Sequence, residues 1–201
     1  LGAAASAIDF LYFPSPLGEG LTRNFYANNV AFRRAVFARF RYQPAEGIYR
    51  GHCQRLGLAL GAAKIPVRFV PEARTIHRFP DDPRELVRLR LLRGADTTEM
   101  APSFANAILP RRLRWIGRTG PVAPLAVLGV RFGFSQHAIG KQDLEALRGL
   151  RRVAARGAIA AISALDVAGA MSKAILGKDY DVHDGGLGKH ALSYHQNNDR
   201  L

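Results

Sequence analysis

The chain has 201 residues and is 48% hydrophobic, enough to bury one moderate core; this excludes disorder throughout and sets a single domain as the expectation. Its 29 Lys and Arg outnumber 16 Asp and Glu, and the formal charge of +13 attracts nucleotide diphosphates, lipid phosphates, acidic membrane surfaces or nucleic acid without choosing among them. A lone cysteine, Cys53, rules out an internal disulfide and a Cys-rich metal site, so a reducing, cytoplasmic compartment is expected.

The opening Leu1-Gly2-Ala3-Ala4-Ala5 has neither an initiator Met nor the basic flank of a secretory signal and reads as the interior of a longer chain. After the loop signal Pro14-Ser15-Pro16-Leu17-Gly18, a polar Asn28-Asn29 pair stands before the run Val30 to Phe40. There Phe32, Val36, Phe37 and Phe40 take helical spacing, with Arg33, Arg34, Arg39 and Arg41 off that face. Gly51 to Ala63 repeats the helical pattern through Leu56, Leu58 and Leu60, and Ile65-Pro66-Val67-Arg68-Phe69-Val70 reads as a strand closed by Pro71. Asp82-Pro83-Arg84-Glu85 is a strong helix start, with Asp as cap, Pro at the first helical position and Glu placed to reach back; the helix is expected to stop near Gly94. Its Arg84, Arg88, Arg90 and Arg93 read as a solvated basic face beside Leu86, Leu89 and Leu92.

Beyond Thr97, prolines punctuate apolar stretches flanked by Arg111, Arg112, Arg114 and Arg118. Val122 to Phe134 is apolar apart from Arg131 but shorter than the ~20 residues needed to cross a bilayer. Arg151 to Leu176 is Ala-rich, and Asp166 and Lys173 argue against a spanning helix. With Trp115 and the Arg cluster nearby, this region reads equally as an interfacial element, apolar side toward lipid, or as helices packed on a catalytic core. Lys178 to Leu201 is polar and reads as a flexible tail; the spacing of His183, His190 and His195 does not suit a compact zinc site.

Three segments carry a resemblance: Asn28-Asn29-Val30-Ala31-Phe32-Arg33-Arg34, Tyr49-Arg50-Gly51-His52, and Val70-Pro71-Glu72-Ala73-Arg74-Thr75-Ile76-His77. Their order and spacing resemble the second half of the catalytic domain of family-2 glycosyltransferases, inverting enzymes of the GT-A fold. The resemblance implies an α/β fold: residues 1–98 as the C-terminal half of a partial, Rossmann-like GT-A domain, 99–176 as a mostly helical, membrane-interfacial region, and 177–201 as the tail. It implies that the donor-binding half, with its Asp-x-Asp metal motif, lies outside these residues; Asp179-Tyr180-Asp181 falls in the tail and does not supply it.

For the site, the resemblance implies sugar contacts from Asn28 and Asn29, with Arg33, Arg50 and Arg78 as further substrate-binding residues. Asn28 and Asn29 serve equally as a helix cap and turn. Where the family places an acidic general base after Arg-Gly, this chain has His52-Cys53. A neutral imidazole can accept a proton, so His52 is the candidate base and Glu46 a second one; the alternative reading of the substitution is loss of the base. Cys53 reads as a small buried residue, because inverting transfer uses no thiol. His77 is the implied ligand of Mg²⁺ or Mn²⁺, or a contact to the donor diphosphate. The expected activity is transfer of a sugar from a nucleotide-sugar donor to a cell-envelope or lipid-linked acceptor, at the inner face of the membrane, with no specific nucleic acid as partner. The alternative is a non-catalytic basic module binding anionic lipid or nucleic acid through its Arg-rich helices.

Overall fold

The computed structural model describes residues 4–5, 8–9, 20–22, 25, 27–42, 48, 51–70, 72–73, 82–141 and 148–177. Five helices dominate them: α1 (Arg34–Arg39), α2 (His52–Ala62), α3 (Pro83–Ile108), α4 (Val122–Lys141) and α5 (Leu150–Leu176). Two 3₁₀ segments, Ala27–Asn29 and Arg111–Arg118, precede α1 and α4. Among the described residues the only strands are β1 (Leu21–Thr22) and β2 (Val67–Arg68), an antiparallel ribbon with Leu21 opposite Arg68 and Thr22 opposite Val67.

This corrects the expected fold class. The chain is mostly helical and is not an α/β, Rossmann-like GT-A domain. The run Ile65 to Val70 does have strand chemistry, yet only two of its residues find a ladder partner, and Phe69 and Val70 are left exposed. A strand propensity becomes a sheet only where a neighbouring strand and a buried face exist. Here the long apolar segments after residue 82 have helical spacing and bury against one another instead.

The N-terminal part is small. Phe25, Leu56 and Leu60 form its buried centre, with Val30, Phe32, Val36, Phe40, Tyr42, Cys53, Ile65 and Val67 packed around them. Gly51, the residue before α2, has φ 112° and lies against the Met100 side chain of α3, so this small core touches the bundle there. A side chain at Gly51 would overlap the Met100 sulfur and would also be strained in that backbone region.

The bundle is built on α3, α4 and α5. Asp82 caps α3 by accepting from the Arg84 amide at 2.9 Å, and Pro83 opens the helix, as its sequence dictates. The helix does not stop at Gly94 but runs on to Ile108. Gly94 is a crossing point: a Cβ there would overlap the Asp166 carbonyl of α5, while a Cβ on Gly169 of α5 would overlap the Leu91 carbonyl of α3. The close approach is held by Thr98 Oγ1 donating to the Ala170 carbonyl at 3.1 Å and by a Lys173–Glu99 ion pair at 3.5 Å. Ile139, Ala155, Ile159 and Ile162 fill one end of the core together with Ala4, Ala5 and Ile8, which are helical residues of the N-terminal stretch.

Charge enters this core. Arg90, expected on a solvated face, is 3% exposed; it donates to Asp9 at 2.6 Å and to Asp166, and Arg131 of α4 also donates to Asp166. Arg93 pairs with Asp9. Burial alone would push the Asp9 carboxyl up, but the guanidinium groups of Arg93, Arg90 and Arg131 hold it well below the usual carboxylate range. The network ties the N-terminal stretch to all three long helices.

Candidate substrate-binding face

The expected site residues divide into those the structure places and those outside the described residues. Glu46, Arg50, His77 and Arg78 are in the second group. Asn28 and Asn29 lie in the 3₁₀ segment Ala27–Asn29 and do not cap α1 directly. The N-cap of α1 is Arg33, extended at φ −64° and ψ 133°, whose carbonyl accepts from the Val36 and Phe37 amides at 2.9 and 3.0 Å. The Arg33 side chain is exposed. His52 is the first residue of α2 and half-buried, followed by the half-buried Cys53.

Two of the three resembling segments are joined. The Asn29 side-chain amide donates to the Ala73 carbonyl at 2.8 Å, across 44 positions of chain. This bond holds the Asn-Asn segment against Ala73, beyond β2. Cys53, the residue that follows the middle segment, packs on the same small core near Tyr42. Burial first, and the adjacent Cys53 thiol second, push the Tyr42 phenol up to about 12.

Sequence reasoning missed a concave feature. An open cavity of about 570 Å³ has Val30, Phe32, Phe37 and Tyr42 among its lining residues, together with Arg34 and Arg41. Its aromatic rings contact one another, with Phe32–Phe37 centroids 5.2 Å apart and Phe37–Tyr42 centroids 6.0 Å apart. Positions 32, 37 and 42 are five apart, a spacing that belongs to neither helix nor strand. They meet because α1 ends at Arg39 and the chain turns extended at Phe40. The cavity therefore combines aromatic and aliphatic side chains with two exposed arginines, and its lining residues Ala27 and Val30 flank Asn29 in sequence. Such a surface suits a ring stacked on aromatic faces with an anionic substituent at the rim.

Among the described residues no group of three or more His, Cys, Asp or Glu side chains converges as a metal site. His77, the implied ligand of Mg²⁺ or Mn²⁺, lies outside the described residues. One helix, α5, is long and apolar enough to cross a membrane by length and composition, and its most apolar 18-residue window is 28% buried. No protein-family model, characterised protein or solved structure matches this chain.

Proposed function

We propose that residues 27–73 form the acceptor-side face of a glycosyltransferase that moves a sugar from a nucleotide-sugar donor to a cell-envelope or lipid-linked acceptor. The observation that carries this reading is the Asn29–Ala73 hydrogen bond, which joins the first and last resembling segments into one surface. The aromatic cavity that Arg34 and Arg41 also line supports it, since it matches the chemistry of a sugar bearing phosphate.

In this reading Asn29 fixes the face and Arg34 and Arg41 hold an anionic group at the rim. His52 takes the acceptor hydroxyl proton, which requires it within hydrogen-bond reach of that hydroxyl. His77 is the proposed contact to the divalent ion or diphosphate, and the work is done in the cytoplasm, peripheral to the inner face of the membrane.

The test is calorimetric titration of UDP-sugars and GDP-sugars, with Mn²⁺, into the 201-residue chain and into its Asn29→Ala and His77→Ala variants. Metal-dependent heat that is lost in His77→Ala and weakened in Asn29→Ala supports the reading. No heat from a chain whose circular dichroism shows it folded removes it.

A further inference from the structure

The segment Arg111–Arg118 sits between α3 and α4 and has no acidic residue. In a 3₁₀ helix residues three apart eclipse, so Arg112, Trp115 and Arg118 share one ridge. Gly117 fixes the packed side: it is buried, and a Cβ there would meet the Ala105 methyl of α3 at 2.8 Å. The Arg112, Trp115 and Arg118 ridge is exposed along its length, with Trp115 62% exposed. Arg111 and Arg114 are exposed as well, and among the described residues no carboxylate pairs with any of these four guanidinium groups. Exposed aliphatic residues adjoin the ridge in sequence, at Leu113 and at Val122 and Leu125 in the first turn of α4.

We infer that this segment docks the protein on an anionic bilayer, with Trp115 inserted at the headgroup level and the surrounding arginines on lipid phosphates. The inference does not depend on the proposed activity. Three observations select a membrane over the other polyanion, nucleic acid. Leu113, Val122 and Leu125 give nothing to a phosphodiester backbone but partition into the acyl boundary. A tryptophan flanked by arginines matches the interface, where an amphipathic ring sits between lipid tails and water. The same bundle carries in α5 an uncovered face of small apolar residues, Val153, Gly157, Ala160, Ala161, Ala164 and Ala168, with no charge on it.

Trp115 is the sole tryptophan of the chain and reports its own environment. The experiment mixes the 201-residue chain with vesicles of pure phosphatidylcholine or of equal parts phosphatidylcholine and phosphatidylglycerol, and reads tryptophan emission and co-sedimentation. The expected result is a blue shift and sedimentation with the anionic vesicles alone. Arg112→Gln and Arg118→Gln should each weaken binding about fivefold and lose effect as salt rises. Trp115→Ala should weaken it about tenfold at every salt concentration. All three positions are exposed, so circular dichroism should show the variants folded. Unshifted emission and no sedimentation overturn the inference, as does an emission change produced by single-stranded RNA and not by vesicles.

Discussion

Asp166 accepts hydrogen bonds from Arg90 and Arg131 while fully buried in α5, so its carboxylate is shared by two helices besides its own. A neutral amide there leaves two buried guanidinium groups short of their counter-charge, whereas removing the entire cluster for well-packed apolar residues need cost little. Asp166→Asn should destabilise the bundle by about 3–5 kcal/mol, read from urea unfolding, with the midpoint and not the slope of the transition moving. Gly169 makes a different demand. Its Cβ would run into the Leu91 carbonyl, a backbone atom that cannot swing aside, so Gly169→Ala should cost about 3 kcal/mol although alanine is the better helix former. A variant as stable as the parent would show that the α3–α5 crossing is looser than described.

At the scale of elements, α3 shows how local signals set a start and tertiary contacts set an end. Asp82 and Pro83 mark the first turn in sequence and in structure. Asp82→Ala removes the acceptor for the Arg84 amide and should cost about 1 kcal/mol, with a small loss of helical circular dichroism from fraying of that turn. Gly94 looked like a stop because glycine commonly ends helices. It is instead the place where another helix needs the room a side chain would fill. Likewise Arg90 and Arg93 stand where a solvated stripe is expected, and their burial follows from Asp9, 81 positions before Arg90, and Asp166, 76 after it. No local pattern could reveal partners at such separations. The candidate site divides the same way: Asn29 was legible as a residue, its bond to Ala73 was not, and the aromatic cavity at Phe32, Phe37 and Tyr42 had no periodic signature.

For the whole molecule, the buried charge network makes stability depend on acid. Asp9 has its folded carboxyl held below its ordinary value of 3.8, so the stabilisation it brings is complete above that value and is lost as pH falls through and below it. The thermal midpoint should stay level from neutrality down to about pH 4 and then fall. Asp9→Asn should lower the neutral plateau and flatten the acid limb, because the group that titrates is gone while Arg90 stays buried and Arg93 half-buried. An acid limb unchanged in the variant would assign the dependence to other carboxylates. Since the network joins the N-terminal stretch to α3, α4 and α5, its loss should be seen as one cooperative transition of the bundle.

The sequence by itself determined where several helices form: the periodicity over Leu56 to Leu60, the Asp82-Pro83 start and the Ala-rich run of α5 fold as their spacing requires, because those signals act within a few turns, whereas the run Val30 to Phe40 is helical only over Arg34–Arg39. It also determined the charge and the order of the Arg-Trp pattern, while the exposure of that pattern is a property of the fold. Tertiary structure alone decided that the Ile65 to Val70 run would not build a sheet, since pairing depends on a partner strand that this chain supplies at only two positions. It decided too which charges are buried and which segments share a surface, because burial and contact join residues that lie many tens of positions apart and are settled by packing rather than by propensity.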